Sequence, residues 1–254
     1  MNDRIKRLRE KTLSKKPYFS PERALLMTEF YKSGEADRVS VPVARAMAFR
    51  HLLERKNIFI DDDELIVGER GAEPKATPSY PEICSHTIQD LEILDTREKI
   101  SFSVSDETKK YYRETIIPFW SGRSIRDRIF EEVDEEWKDA YNAGIFTEFM
   151  EQRAPGHTVL DGKIYRKGLL DFQREIQEQI DSLDFYSDPE AFDKREELKA
   201  MRIAADAVIQ YAKRHAATAR ELAARIGSNE NGTAKGDNAR ISELKAIAEI
   251  CEKV

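Results

Sequence analysis

LKAMRIAADAVIQYAKRHAATARELAARI, residues 198–226, decides how the chain is read. Leu198, Met201, Ala205, Val208, Ala212, His215, Ala219, Leu222 and Ile226 recur in steps of three and four, the spacing that keeps one helical face against a neighbour over many turns. The many alanines predict close helix approach. Gly227-Ser228-Asn229-Glu230-Asn231-Gly232 then stops the helix with residues that accept left-handed and turn backbone, and a surface loop is expected there. Helical spacing returns in Ile241, Leu244, Ile247, Ala248 and Cys251 and runs to Glu252-Lys253-Val254 without a glycine cap. From Leu169 onward the chain reads as almost wholly helical.

Working back towards the start, the first sixty residues also read as helices. Ser20-Pro21-Glu22 sets a capping hydroxyl before a helix-starting proline, with Ala24, Leu25, Met27, Thr28 and Tyr31 as the apolar face. A second helix is expected from Pro42 to about Lys56-Asn57. Ile58-Phe59-Ile60 and Leu65-Ile66-Val67-Gly68 predict two short strands around the acidic corner Asp61-Asp62-Asp63-Glu64. Residues 71–90 hold Pro74, Pro78 and Pro81, which predicts a packed loop outside any regular element, with Tyr80, Ile83 and Cys84 pinned on a core and Ile88, Leu91, Ile93 and Leu94 continuing the burial. Helices are predicted near 106–118, 123–131 and 134–143. Asp161-Gly162 between Val159-Leu160 and Lys163-Ile164-Tyr165 signals a tight hairpin. The fold class is therefore mainly α with a few short strands.

Composition narrows the function. The 254 residues are 35% charged and 40% apolar, with a mean hydropathy of −0.64, which excludes a membrane protein and a fibre. A net charge of −6 without a basic block argues against nucleic acid as the principal partner. Cys84 and Cys251 stand far apart, so a disulfide framework has no support and a reducing cytoplasm fits. The first residues carry charge without an apolar run behind it, so neither a signal peptide nor an anchor is expected.

Candidate chemistry is sparse. The acidic corner lacks the glycine and ligand spacing of a calcium loop and reads as a solvated turn. Glu82, Cys84 and His86 alternate as metal ligands could, but lack a fourth ligand, so no metal is expected. His51 and His215 fall in apolar helical patterns and read as packing residues, and Trp120, Trp137, Phe119 and Phe130 as core or interface anchors. His157 differs: its Pro-Gly-His turn follows Glu148, Phe149, Glu151, Gln152 and Arg153, a set suited to a small polar, orientable substrate. On residue type alone His157 either binds a ligand or locks the loop. No nucleophile elbow, phosphate-cradling glycine loop, dinucleotide fingerprint or HExxH is present.

Several blocks look familiar together. Ser20-Pro21-Glu22-Arg23-Ala24, residues 63–71 (DELIVGERG), Tyr80-Pro81-Glu82-Ile83, Ile117-Pro118-Phe119-Trp120 and residues 146–158 (FTEFMEQRAPGHT) resemble the N-terminal part of the pyruvate formate-lyase-like glycyl radical enzymes, most of all their hydroxyproline dehydratase branch. The resemblance spans nearly the whole chain, so residues 1–254 are expected to be one incomplete domain. It implies a ten-stranded α/β barrel wrapped in helices, with a thiyl cysteine on one loop and a glycyl radical on another, both downstream of the matched region. Neither Cys84 nor Cys251 matches the thiyl position and no Arg-Val-x-Gly-type motif occurs, so the chain resembles the first third of a longer enzyme and is expected to be inactive alone.

By the same resemblance His157 hydrogen-bonds a polar substrate group and Phe149 shapes the pocket wall, while no catalytic residue is assigned to this chain. The cofactor implied is a glycyl radical on the missing C-terminal portion, installed by an activating enzyme that uses S-adenosylmethionine and an iron–sulfur cluster. That portion and, indirectly, the activating enzyme are the expected partners, with a homodimer as a further association. Radical dehydration of trans-4-hydroxy-L-proline is the leading reading. A diol, glycerol, choline or isethionate lyase, an inactive helical module pairing with a separate C-terminal half, and a small-molecule binder using His157 remain as alternatives.

Overall fold

The computed structural model describes residues 2–146, 161–228 and 235–253. Helix α1 (Asp3–Ser14) leads into a three-residue strand β1 (Tyr18–Ser20), then α2 (Glu22–Lys32) and α3 (Val41–Arg55). Strand β2 (Ala76–Pro78) pairs parallel with β1, setting Tyr18 opposite Ala76 and Ser20 opposite Pro78. Helices α4 (Ile88–Thr96) and α5 (Asp106–Tyr111) follow, and α5 widens through a π segment (Tyr112–Ile116) into α6 (Ile117–Trp120). Then come α7 (Ile125–Glu132), α8 (Glu135–Asn142), a 3-10 turn (Asp161–Tyr165), α9 (Leu169–Asp181), α10 (Ala191–Gly227) and α11 (Lys235–Cys251).

The 37-residue α10 is the axis, packed by α3, α9 and α11. Against α11 it presents Ala216, Ala219 and Ala223, which meet Leu244, Ile247 and Ala248, with Ile60 closing the cluster. Alanine at three successive contact turns lets the two backbones approach, as the sequence predicts. A second core joins β1, α2, α4 and the α5–α6 helix: Phe19, Ala24, Met27, Phe30, Leu91, Tyr112, Ile116 and Trp120. The π segment has a local cause. Pro118 would clash with the carbonyl of Glu114 in a regular helix, and the Ile117 N–H instead reaches back five residues to Tyr112 O. The widened turn leaves Tyr112 and Ile116 fully buried.

Several expectations need correction. Residues 58–60 and 65–68 form no strand; Ile58, Ile60 and Val67 pack on the α10–α11 seam, and a short β-prone run without a ladder partner stays irregular. The loop at 71–90 does contain a strand, β2, because Pro78 sits at its end, where a missing N–H costs no ladder bond. Residues 18–20 are strand rather than helix, and Ser20, buried in β1, makes no side-chain cap to α2. The Asp161–Tyr165 segment is a 3-10 turn instead of a hairpin, closed by N–H groups of Arg166 and Lys167 donating to Lys163 O; Val159 and Leu160 lie outside the described residues. Met201 in the long seam, Tyr80 and Ile93 are exposed, not buried. The acidic corner is no solvated turn: Asp63 is buried among cations of α1.

Candidate functional site

Arg23 in the first turn of α2 organises the centre of the second core's edge. Its guanidinium pairs with both carboxylate oxygens of Glu82, donates to Ser79 O at 3.0 Å and lies over the Tyr80 ring, 3.9 Å from the centroid. Ser79 in turn shares a buried hydroxyl hydrogen bond with Tyr112, whose phenol is pushed well above its ordinary value by burial. The loop is thereby clamped on two sides. Its carbonyls then serve α7: Ile125 N–H donates to Glu82 O and Arg126 N–H to Ile83 O, both at 3.0 Å, while Ser124 and Asp127 form a capping box. Donors that a helix start leaves unpaired are all spoken for here.

From α7 the order passes into an aromatic shelf. Arg126 lies 4.5 Å from the Phe130 ring centre and donates to the Tyr141 hydroxyl at 3.0 Å. Tyr141 stacks on Trp137 with 7° between the rings, Phe130 meets both edge-on, and Phe146 meets Trp137 at 4.8 Å. Such ring pairs prefer edge and offset geometry, which this cluster uses throughout. Gly144, with φ of +75°, turns the chain after α8 so that Phe146 folds back onto the shelf. Phe146 therefore fixes the point from which the chain enters residues 147–160. Phe149 and His157, with Glu148, Glu151, Gln152 and Arg153, lie outside the described residues.

The other candidates are all placed. Glu82 is taken by Arg23, and His86 packs edge-on against Phe19 at 5.3 Å, its imidazole held below its ordinary value by burial. Among the described residues no three His, Cys, Asp or Glu side chains gather as metal ligands. His215 is buried beside Tyr211, its Nδ1 at 3.0 Å from Tyr211 O, and His51 packs on Phe30; burial lowers both imidazoles. Trp120 is a core anchor, donating from Nε1 to Thr28 Oγ1 at 2.9 Å. Sequence reasoning missed Arg23, Ser79 and Tyr112. The helical spacing of Thr108, Tyr112, Ile116 and Trp120 was the available signal for Tyr112, while nothing local marks the partners of Arg23.

Helices are thus braced around a clamped loop, and an aromatic shelf ends at Phe146, where the polar segment begins. The family model for "pyruvate formate lyase-like" proteins matches residues 1–254, and the chain belongs to that family. It is 48% identical over 252 residues to the trans-4-hydroxy-L-proline dehydratase of Clostridioides difficile, covering 99% of this chain and 31% of that protein. The crystal structure of hydroxyproline dehydratase from the same organism, with trans-4-hydroxy-L-proline bound, superposes with a TM-score of 0.89 at 46% identity over all of this chain and 31% of that one. The glycerol-bound B12-independent glycerol dehydratase from Clostridium butyricum gives 0.85 at 30% identity, over 100% and 31% of the two chains. The chain thus spans about a third of the length of the relatives it matches. Among the described residues no helix is long and apolar enough to cross a membrane.

Proposed function

We propose that this chain supplies the N-terminal helical scaffold and part of the substrate pocket of a glycyl radical carbon–oxygen lyase that dehydrates trans-4-hydroxy-L-proline in the cytoplasm. The observation that carries the substrate is the gap between 46% identity to the hydroxyproline dehydratase structure and 30% to the glycerol dehydratase structure, both over the whole of this chain. In this reading residues 1–254 are one part of a single catalytic domain. His157 hydrogen-bonds the substrate, orienting its hydroxyl or helping a proton to move, and Phe149 keeps water from the reacting carbon. The Arg126 shelf sets where their segment begins.

The radical centres do not fit the residues present. Cys84 sits in the loop that braces α7 and Cys251 packs in the last turn of α11 against the α10–α11 cluster, and neither matches the thiyl position that the resemblance implies. Substrate hydrogen abstraction, and the glycine modified by an S-adenosylmethionine and iron–sulfur activating enzyme, belong to polypeptide outside these 254 residues. Co-expression with that polypeptide and the activating enzyme, without oxygen, should yield a glycine-centred radical signal and dehydrated product from hydroxyproline. His157→Ala should keep the radical and lower kcat/KM by about a hundredfold or more. Turnover of a diol, glycerol, choline or isethionate instead would transfer the reading to a sister lyase. Sustained turnover by the purified chain alone would refute the scaffold role.

One observation favours a second reading, an inactive helical module that pairs with a separate polypeptide or with its own copy. Phe185 and Phe192 meet at 5.1 Å and are 41% and 59% exposed beside the fully exposed Tyr186, an aromatic patch that association would cover. That reading expects a stable complex with no radical signal.

A further inference from the structure

Helix α1 is attached to the fold by charge. None of its residues is buried, and Ile5 and Leu13 are 53% and 72% exposed. Its anchors are ionic. Arg4 Nη2 lies 2.6 Å from both carboxylate oxygens of Glu243 on α11. Arg7 grips Asp63 with Nη2 at 2.5 Å and Nε at 3.0 Å, and Lys11 Nζ reaches Asp61 at 2.5 Å. Just past the helix Lys15 pairs with Glu73, and Lys75 Nζ donates to Lys15 O at 2.6 Å. Asp63 is the hub: buried, and within 4.0 Å of cationic nitrogens of Arg4, Arg7 and Lys11.

These anchors join two parts of the chain that do not follow one another in sequence. Glu243 is shared by Arg4 and Arg240, and Arg240 donates to Asp61 O at 2.7 Å and Glu64 O at 2.8 Å. α1 therefore lies across the junction between residues 59–75 and α11. Beneath it runs a groove of about 700 Å³ lined by Leu8, Thr12, Phe59, Ala72 and Pro74. Its polar groups are already engaged: Glu64 accepts from Asp61 N–H and Glu69 from Arg70 N–H. A ligand would find few groups to recruit, so the groove reads as the seam under a docked helix.

We infer that α1 is an ionic strap, a helix that fastens residues 59–75 to α11 through its ion pairs and lifts off as a unit when those pairs are screened or removed. A helix of this length is marginal by itself in water, so lifting off also melts it. Exposed ion pairs are weak singly and fade with salt, while three acting on one buried carboxylate add up to an effect that can be read.

Hydrogen exchange followed by mass spectrometry on the whole chain, at fixed pH, tests this with the amides of α10 as internal reference. Raising salt from about 0.03 M to about 0.5 M should speed exchange over residues 3–14 by about tenfold and leave residues 205–223 unchanged. Arg7→Gln and Lys11→Gln, both at exposed positions, should reproduce much of that gain at low salt and blunt the further response to salt. Exchange over 3–14 that ignores both salt and the two substitutions would overturn the inference. Acceleration in step with α10 would do so as well, because it would report unfolding of the whole chain.

Discussion

Thr28→Val isolates the energetic weight of one buried contact in the second core. Thr28 is 1% and Trp120 5% exposed, and Thr28 Oγ1 both accepts from the Trp120 indole N–H at 2.9 Å and donates to Ala24 O at 2.7 Å. Valine nearly keeps the shape and removes the oxygen. Ala24 O retains its helical partner, whereas the indole N–H is stranded without water, a loss of about 1–3 kcal/mol. Trp120→Phe removes the donor and costs a similar amount through the space it leaves. The informative quantity is the cycle: in the Trp120→Phe background Thr28→Val should cost no more than about 0.5 kcal/mol, a coupling of about 1.5 kcal/mol. Urea unfolding followed by far-ultraviolet circular dichroism avoids dependence on the altered tryptophan. Strict additivity of the two substitutions would refute the reasoning and assign the loss to valine's own stiffness in a helix.

Gly71→Ala should destabilise by about 1–3 kcal/mol, since the added methyl would stand 2.5 Å from the Ala76 Cβ, and Ala76→Gly in the same chain should recover part of the loss in thermal unfolding. Ala219→Leu, at a fully buried position between α10 and α11, should cost about 1–3 kcal/mol or more, while the exposed Ala217→Leu should stay within about 0.5 kcal/mol by urea unfolding. Burial depresses the imidazoles of His86 and His215, so the unfolded chain takes up protons first: stability is full above about pH 6.5 and falls as pH drops through the lower folded values. His215→Gln should flatten that part of a pH series of urea midpoints. Glu196 is held down to about 2 by Lys199, Ser40 and Arg195, so its contribution is present above about pH 4.5 and lost as pH falls towards 2; Glu196→Gln should remove this small acid slope.

The long helix was legible because its information is local: every few residues an alanine or a larger apolar side chain repeats the same face. Which face was less legible. Met201 is exposed, whereas Ala200, Ala207 and Ile209, outside the chosen seam, are buried, because α3, α9 and α11 surround α10 and no single stripe describes three neighbours. The strands were illegible for the opposite reason. β1 and β2 are three residues each and exist through a parallel pairing across more than fifty residues, entered through Lys75 in a left-handed conformation (φ 65°). β-prone runs at 58–60 and 65–68 had propensity but no partner, and packing decided. The acidic corner failed similarly, since its cations come from a helix fifty residues upstream. Of the candidate site, residue type marked the segment holding Phe149 and His157, and the aromatic anchors Phe130 and Trp137 were named without any sign that they pack with Tyr141 and Phe146 as one shelf.

Three of the five blocks that carry the family resemblance meet in space. Arg23 of the first block holds Glu82 and Tyr80 of the third; the same loop's Ser79 binds Tyr112, one turn before the fourth, whose Trp120 returns to Thr28 on the helix that carries Arg23. That circuit is closed, and its open carbonyls fix α7, then the shelf, then the start of the fifth block. The Ser79–Tyr112 and Thr28–Trp120 links are buried and the Arg23–Glu82 pair half-buried, so loss of either hydroxyl contact leaves a polar group without water to replace its partner. On the proposed function this rigidity has a use, because a reactive carbon centre must be kept dry and in register with groups that arrive from elsewhere. The blocks at Arg23, Glu82 and Trp120 that resemble the family's motifs are, in the structure, residues that hold helices and a loop together.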